Sequence, residues 1–391
     1  MKNKLTQYPL ILLFSITLAC FILFGIGACA AGLRSMRETY KETGSISPVS
    51  FESGYNSSMP MKRVLVQLNG RLQHTLGHRM LNKTYRMSDE HLTEVFEAYD
   101  PSDCAWETIR FRDALAEIGI PVIFISTPVK LMPDDSTLPI GIEDCSNVNM
   151  DRFLTLLRKA DIEVLDLREG IADWKDFFYR TDHHWTAEGG LLGAIELMNY
   201  LGLRDPEYAV DPIVLDPDQY SREVYEQSYL GSYGRRVGPG FVGIDDFTLV
   251  RPLFETRLHS EIPSKDVVKE GDFTEALLYP EIMEGDDPYT NRYIVYGTLE
   301  PLMTIDNEST SANLPVQSAD KRILLINDSF GVMTSPFLAL GYNHVCHIDP
   351  RTFEGTPLDA VKEYQPDIVL IQYAPFVFGD DENCRQLFIL M

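Results

Sequence analysis

The stretch Lys321-Arg-Ile-Leu-Leu-Ile-Asn-Asp-Ser-Phe-Gly331 decides the fold. Its centre is a continuous apolar run, which suits a strand buried on both faces of a parallel sheet. Asn327, Asp328 and Ser329 then break the run with side chains that hydrogen-bond nearby backbone and favour turns. Gly331 to Leu340 reads as a short helix. A strand that runs into a polar turn and a helix places Ser329 at the carboxyl end of that strand. Ligands of open α/β sheets bind outside those ends. A serine there presents its Oγ to the cleft, with turn N–H groups such as that of Phe330 aimed at a developing oxyanion.

The same alternation spreads outward. Cys104 to Ile118 is amphipathic at helical spacing, Gly119 ends it, and Pro121 to Ser126 is a strand of the buried type. Asn149 to Lys159 and Ile162 to Leu167 repeat the pair. Thr186 to Leu201 reads as a helix capped by Thr186, with Glu188 in its first turn. Beyond Ser329, strands are expected at His344–Ile348 and Asp367–Gln372, with a helix at Leu358–Glu363 between them. Strands alternating with helices predict an α/β fold, a parallel sheet with helices on both faces. Residues 202–318 differ. They are rich in Pro, Gly, Tyr and Asp, carry short strand-like pieces at Phe247–Val250 and Arg292–Tyr296, and read as an insertion.

A second constellation is Asp182-His183-His184-Trp185, just before the helix that starts after Thr186. Drawn as an extended segment, Asp182 and His184 point to one side and His183 to the other. The Asp182 carboxylate then accepts from Nδ1 of His184 and leaves Nε2 as a general base. The helix start disfavours imidazolium and the carboxylate favours it, so the base is expected near neutrality. A polar loop with helix-cap contacts is the bland reading of the same residues. A zinc or iron site is a further one, but histidines that point apart make a poor ligand pair, and no metal is expected. Trp185 reads either as a sugar-stacking platform or as core packing. Arg351, at the carboxyl end of a strand, is either a ligand contact or half of an ion pair. Arg235 and Arg236 read as a solvated basic turn. Gly238-Pro-Gly-Phe-Val-Gly243 has the spacing of a dinucleotide loop, yet it follows no convincing strand and opens no helix, so no cofactor is expected.

The 391 residues include 34 Lys and Arg against 58 Asp and Glu, a formal charge of −24. With no basic stripe to offset it, this balance excludes nucleic acid as a partner. The six cysteines, without a CxxC, do not make a disulfide scaffold or a zinc ribbon; outside the apolar run Cys104, Cys145, Cys346 and Cys384 allow three pairings, with buried thiols as the default. Pro9 to Leu33 carries no charge and is long enough to cross a bilayer. The expectation is a single-pass protein of the cell membrane: residues 1–33 as cytoplasmic tail and N-terminal transmembrane helix, 34–62 as a stalk, and 63–391 as the extracytoplasmic domain. A cleaved signal peptide is one alternative. A lipoprotein is another, because Ile26-Gly-Ala-Cys29 looks like a processing box that would leave lipid on Cys29.

Asp182-His183-His184-Trp185 and Asp328-Ser329-Phe330 together resemble the DHHW family of bacterial surface proteins, itself similar to the SGNH-hydrolase-like proteins that O-acetylate alginate. Shorter stretches, Val66–Gly70, Tyr229–Ser232, Ile348–Arg351 and Asp367–Tyr373, extend the likeness over roughly residues 64–378. The resemblance implies an SGNH-hydrolase-like sheet in which Ser329 is the nucleophile, His184 the base and Asp182 its orienter. It also implies an oxyanion role for Tyr373. The chain order Asp, His, Ser matches the alginate acetylation proteins, while Asn327 stands where their relatives have the Gly of a GDS block. The implied reaction is acetyl transfer, through an acyl-serine, to a hydroxyl of a cell-surface or exported polysaccharide. The implied partner is a membrane-bound O-acyltransferase as acetyl donor. A carbohydrate esterase using the same three residues, and a non-catalytic glycan-binding surface protein, are the alternatives.

Overall fold

Eight strands form the central sheet of the computed structural model. The structure describes residues 15, 25–41, 44–59, 61–132, 137–169, 173–297, 302–308, 319–379 and 381–391. They fall into two compact units, Met1–Leu72 and Gln73–Met391. In the second unit the chain runs through helix α1 (Ser102–Ala116), strand β1 (Val122–Ser126), helix α2 (Ser146–Lys159), strand β2 (Glu163–Asp166) and helix α3 (Ala187–Arg204). Strands β3 (Tyr220–Tyr229) and β4 (Asp245–Pro252) pair as a separate hairpin. Strands β5 (Leu258–Ile262), β6 (Val267–Gly271), β7 (Leu302–Asn307) and β8 (Ala319–Asn327) follow. Helix α4 (Gly331–Leu338), strand β9 (Tyr342–Ile348), helix α5 (Pro357–Tyr364) and strand β10 (Ile368–Tyr373) complete the α/β body.

The sheet order is β2-β1-β10-β8-β9-β7-β5-β6. The first five strands are mutually parallel, and β7, β5 and β6 add antiparallel. The sheet is therefore mixed where a wholly parallel one was expected. β5 and β6 form a hairpin, and β7 lies antiparallel between β5 and β9, pairings that need no right-handed helical crossover.

Side chains on the parallel strands alternate between two cores. Ile123, Ile125, Ile323, Leu325, Ile368 and Leu370 face one that holds α3 and α4. Val122, Phe124, Leu324, Ile326, Val369 and Ile371 face the other, with α1, α2 and α5. Both faces are thus dry, which is why these strands read as unbroken apolar runs. Thr186 caps α3, its hydroxyl accepting from the Gly189 N–H.

Four expectations are corrected. Among the described residues no helix is long and apolar enough to cross a membrane. The single-pass anchor expected over Pro9–Leu33, and the cell-membrane location drawn from it, are therefore not upheld. Residues 9–14 and 16–24 of that run lie outside the described residues. The described remainder continues as helix to residue 41, through Arg34, Arg37 and Lys41, and Cys29 is an exposed free thiol within it. Residues 34–62 carry helix at 34–41 and Pro48–Ser57, the latter capped by Ser47, where an aperiodic stalk was expected. Arg292–Tyr296 is a 3-10 helix and not a strand. Its Arg292 is buried and donates to the carbonyls of Ser228, Ile282 and Gly285, which fixes a turn that a five-residue apolar run cannot reveal. Finally, Cys104 and Cys384 form a disulfide across a separation of 280 residues, leaving Cys145 and Cys346 as free thiols. Sequence spacing says nothing about which helices meet over that distance.

Candidate active site

Ser329 sits where β8 gives way to α4, and 7% of its surface is exposed. The turn beneath it is built on Asp328. One carboxylate oxygen accepts from the Phe330 N–H at 2.9 Å and the other from the Ala374 N–H at 2.8 Å, tying the serine turn to the end of β10. Burial pushes the Asp328 carboxyl up to about 6, against the Ala374 N–H, Arg351 and the Phe330 N–H, which pull it down. Among the described residues the Ser329 N–H has no acceptor.

Ser329 Oγ lies 2.7 Å from Nε2 of His184, and Nδ1 of His184 lies 2.9 Å from Oδ1 of Asp182. The carboxylate fixes the tautomer. Nδ1–H donates to it, so the bare Nε2 accepts the serine O–H. Asp182 in turn is saturated. Its Oδ1 accepts the N–H groups of His183 (2.7 Å) and His184 (3.2 Å). Its Oδ2 accepts the Tyr229 hydroxyl (2.6 Å) and the Ser232 N–H (2.8 Å). Gly231 permits this approach, because a Cβ there would fall 2.3 Å from Cβ of Asp182.

The local geometry differs from the extended segment expected from the sequence. Residues 180–184 form a bend, pulled round by the two N–H groups that Asp182 accepts. Asp182 and His184 meet because of that bend. His183 consequently packs beside His184, ring centroids 3.7 Å apart, with Nδ1 2.9 Å from Ser232 Oγ and 3.0 Å from the same Asp182 oxygen. It does not face away. The ligand atoms of Asp182, His183 and His184 lie within 4.8 Å of one another. Their hydrogen bonds, with Nε2 of His184 turned to a hydroxyl, suit a proton path better than a cation.

Burial is the largest influence on His184 and, with His183, outweighs Asp182 to bring it down to about 4. The expectation of a base near neutrality is corrected in that direction. Burial alone would raise the Asp182 carboxyl, but the charges and hydrogen bonds of His184 and His183 hold it well below its ordinary value. At pH 7 the site therefore contains a carboxylate and a neutral imidazole.

The other expected residues divide. Arg351 is near enough for its charge to act on His184 and Asp328, while its Nε and Nη2 pair with Asp349. Phe330 places its ring 5.4 Å from that of His184, but its N–H is taken by Asp328, so an oxyanion cannot use it as the turn stands. Trp185 is fully buried against Trp174 and Phe330, which makes it core and not a sugar platform. Tyr373 is buried in the α1/α2 core, where its hydroxyl donates to the Leu387 carbonyl, and it does not reach an oxyanion position. Strand alternation explains this, since Tyr373 shares a face with Val369 and Ile371.

Two residues were missed. Tyr293 stacks on His184 with ring centroids 4.0 Å apart and 19° between planes, and its hydroxyl donates to the Ser329 carbonyl at 2.9 Å. No local signal marked it. Tyr229 was visible only as part of a short family-like stretch.

Residues 85–238 match the family model described as the SGNH hydrolase-like domain of acetyltransferase AlgX. The resemblance to the SGNH-hydrolase-like alginate O-acetylation proteins stands. That match includes Asp182 and His184 and ends before Ser329. The fold is similar to that of Bacillus cereus PatB1, with a TM-score of 0.62 at 19% identity, covering 78% of this chain and 98% of that one. The same protein with a sulfonyl adduct gives 0.59 at 20% identity, covering 78% and 99%. A DHHW family protein from Eubacterium siraeum gives 0.58 at 16% identity, covering 80% and 97%. At these identities the likeness speaks for the fold. No curated protein sequence matches the chain.

Proposed function

We propose that the chain is an acyltransferase that carries an acetyl group on Ser329 and passes it to a hydroxyl of a polysaccharide. One observation carries the reading, the unbroken line of hydrogen bonds from Ser329 Oγ through His184 to Asp182 at the carboxyl edge of the sheet. The match to an acetyltransferase domain supports the choice of acyl group, and the resemblance to alginate O-acetylation proteins suggests the polysaccharide acceptor.

In the first half-reaction Ser329 Oγ attacks the acetyl carbonyl carbon of the donor while Nε2 of His184 takes its proton. The imidazolium so formed is stabilised by Asp182. The oxyanion is held by the Ser329 N–H, with the positive charge of Arg351 nearby. Collapse expels the donor's oxygen, which takes the proton back from His184, and leaves acetyl-Ser329. In the second half-reaction the acceptor hydroxyl gives its proton to Nε2 and attacks the same carbonyl. Ser329 leaves, is reprotonated, and the sugar carries the ester. A membrane-bound O-acyltransferase is the donor that the family resemblance suggests. Water in place of the sugar would make the same site an esterase.

The test uses the full chain with p-nitrophenyl acetate as donor. Wild type is expected to release nitrophenol and to accumulate an acetyl group on Ser329, read by peptide mass. Ser329→Ala and His184→Ala should fall to background. Turnover that survives both substitutions refutes the reading. Offering polysaccharides and comparing acetylated product with free acetate then separates transfer from hydrolysis.

A further inference from the structure

Lys130 is a buried charge for which the steps above have no use. It is 3% exposed, and its Nζ lies 2.7 Å from the Leu92 carbonyl, 2.7 Å from that of Tyr179 and 3.2 Å from that of Arg180. Among the described residues its hydrogen-bond partners are carbonyl oxygens, not carboxylates. Two of them open the bend that ends at His184. The Tyr179 N–H closes the same bend onto the His184 carbonyl at 3.4 Å, and the Leu92 N–H shares the Arg180 carbonyl at 2.8 Å. One residue on, Asp245 accepts both the N–H and the hydroxyl of Thr181. An ammonium is a compact donor of three hydrogen bonds, so a single Nζ can tie two other chain segments, one at Leu92 and one at Tyr179–Arg180, to its own.

We propose that Lys130 is a positioning residue for acyl transfer, its ammonium clamping the backbone that aims Asp182 and His184 at Ser329. The proposal rests on the acyl-transfer reading and adds a residue that never touches substrate. Burial brings Lys130 down to about 7, with Asp245, Asp182 and Asp89 pulling it up and Lys175 pushing it down. His91 also lies within reach of its charge, and is itself held low, first by burial and then by Lys130. The clamp is therefore complete below neutrality. It loses its charge and one donor as the pH rises past it.

The experiment compares the full-length wild type, Lys130→Arg and Lys130→Met. Displacement of a catalytic group by about 1 Å can cost about 10²-fold, and Lys130→Met should lower kcat by about that factor with KM little changed. Lys130→Arg should retain most of the activity and shift the alkaline fall in kcat to higher pH, since its charge persists. A wild-type kcat in Lys130→Met, or an unmoved alkaline limb in Lys130→Arg, overturns the proposal. The low-field proton resonance of His184 Nδ1–H is the second readout. It should be present in wild type and Lys130→Arg, and lost or shifted in Lys130→Met. An unchanged resonance in Lys130→Met refutes the clamp whatever the turnover. Should Lys130→Met fail to fold, the two pH profiles decide. If wild type shows no Ser329-dependent turnover, the acyl-transfer reading falls, and the resonance still judges the clamp on its own.

Discussion

The two sides of the site are built by different physics. Ser329 belongs to the parallel half of the sheet, where β8 is held by β9 and β10 and both faces are dry. Asp182 and His184 lie on a bend without regular structure, and their supports come largely from residues 202–318. Tyr229 and Ser232 bind the carboxylate, Gly231 makes room for it, and Tyr293 covers the imidazole. The nucleophile is placed mainly by a strand end and its Asp328 turn, with one hydrogen bond from Tyr293. A base and its carboxylate need partners brought from elsewhere in the chain, and the aperiodic segment supplies them.

That contrast can be broken at several points. The largest effect is expected from Asp182→Asn, which keeps the shape but loses the tautomer, at about 10⁴-fold in kcat. Activity close to wild type would mean that Asp182 does not orient His184. Gly231→Ala comes next. Its Cβ would meet Asp182 at 2.3 Å, so the bend must move, and a loss of about 10²-fold is expected with the sheet's circular dichroism unchanged. If sheet and activity fall together, the insertion supports the fold as a whole and not the site.

Tyr293→Phe sharpens the comparison. It keeps the stacked ring and removes the hydrogen bond to the Ser329 carbonyl. About fivefold in kcat is expected, from the ~1 kcal/mol that such a bond contributes. Tyr293→Leu, which also loses the stack, should cost more, and equal effects would deny the ring a part.

The mildest perturbation is acid. His184 must be neutral to accept a proton, so its own titration should lower kcat/KM only as pH drops through about 4, whereas Asp328, pushed up to about 6, takes a proton earlier and loosens the serine turn near that value. Stability moves earlier. The unfolded chain protonates this histidine below its ordinary 6.5, whereas the folded chain does so only near 4. Between those values the unfolded state binds more protons, and stability therefore declines as pH falls through that window. Replacing His184 with Gln should flatten this part of the curve. A kinetic limb near 6.5 that persists in Asp328→Asn would place His184 in water.

Much of this was legible in the chain. The α1–β1 and α2–β2 pairs, the Thr186 cap and the strand leading to Ser329 follow from period and turn chemistry, which depend on near neighbours. Arg292–Tyr296 shows the limit. Its composition suits a strand, and only the three carbonyls gathered by Arg292 make it a 3-10 turn. Tyr373 shows another, because a tyrosine at a strand end can face either core, and the pleat turned this one away from the cleft.

From the amino-acid order alone come a buried strand, a polar turn and a helix at Ser329, and a carboxylate two residues from an imidazole. These are short-range facts, governed by side-chain periodicity and local hydrogen bonding. The fold alone decided that His184 meets the Ser329 hydroxyl, that Tyr229 reaches Asp182, that Tyr293 holds the Ser329 carbonyl, and that Lys130 sits beneath the bend. Those contacts join residues between 36 and 145 positions apart. Burial of the whole body, not any local pattern, brings them together.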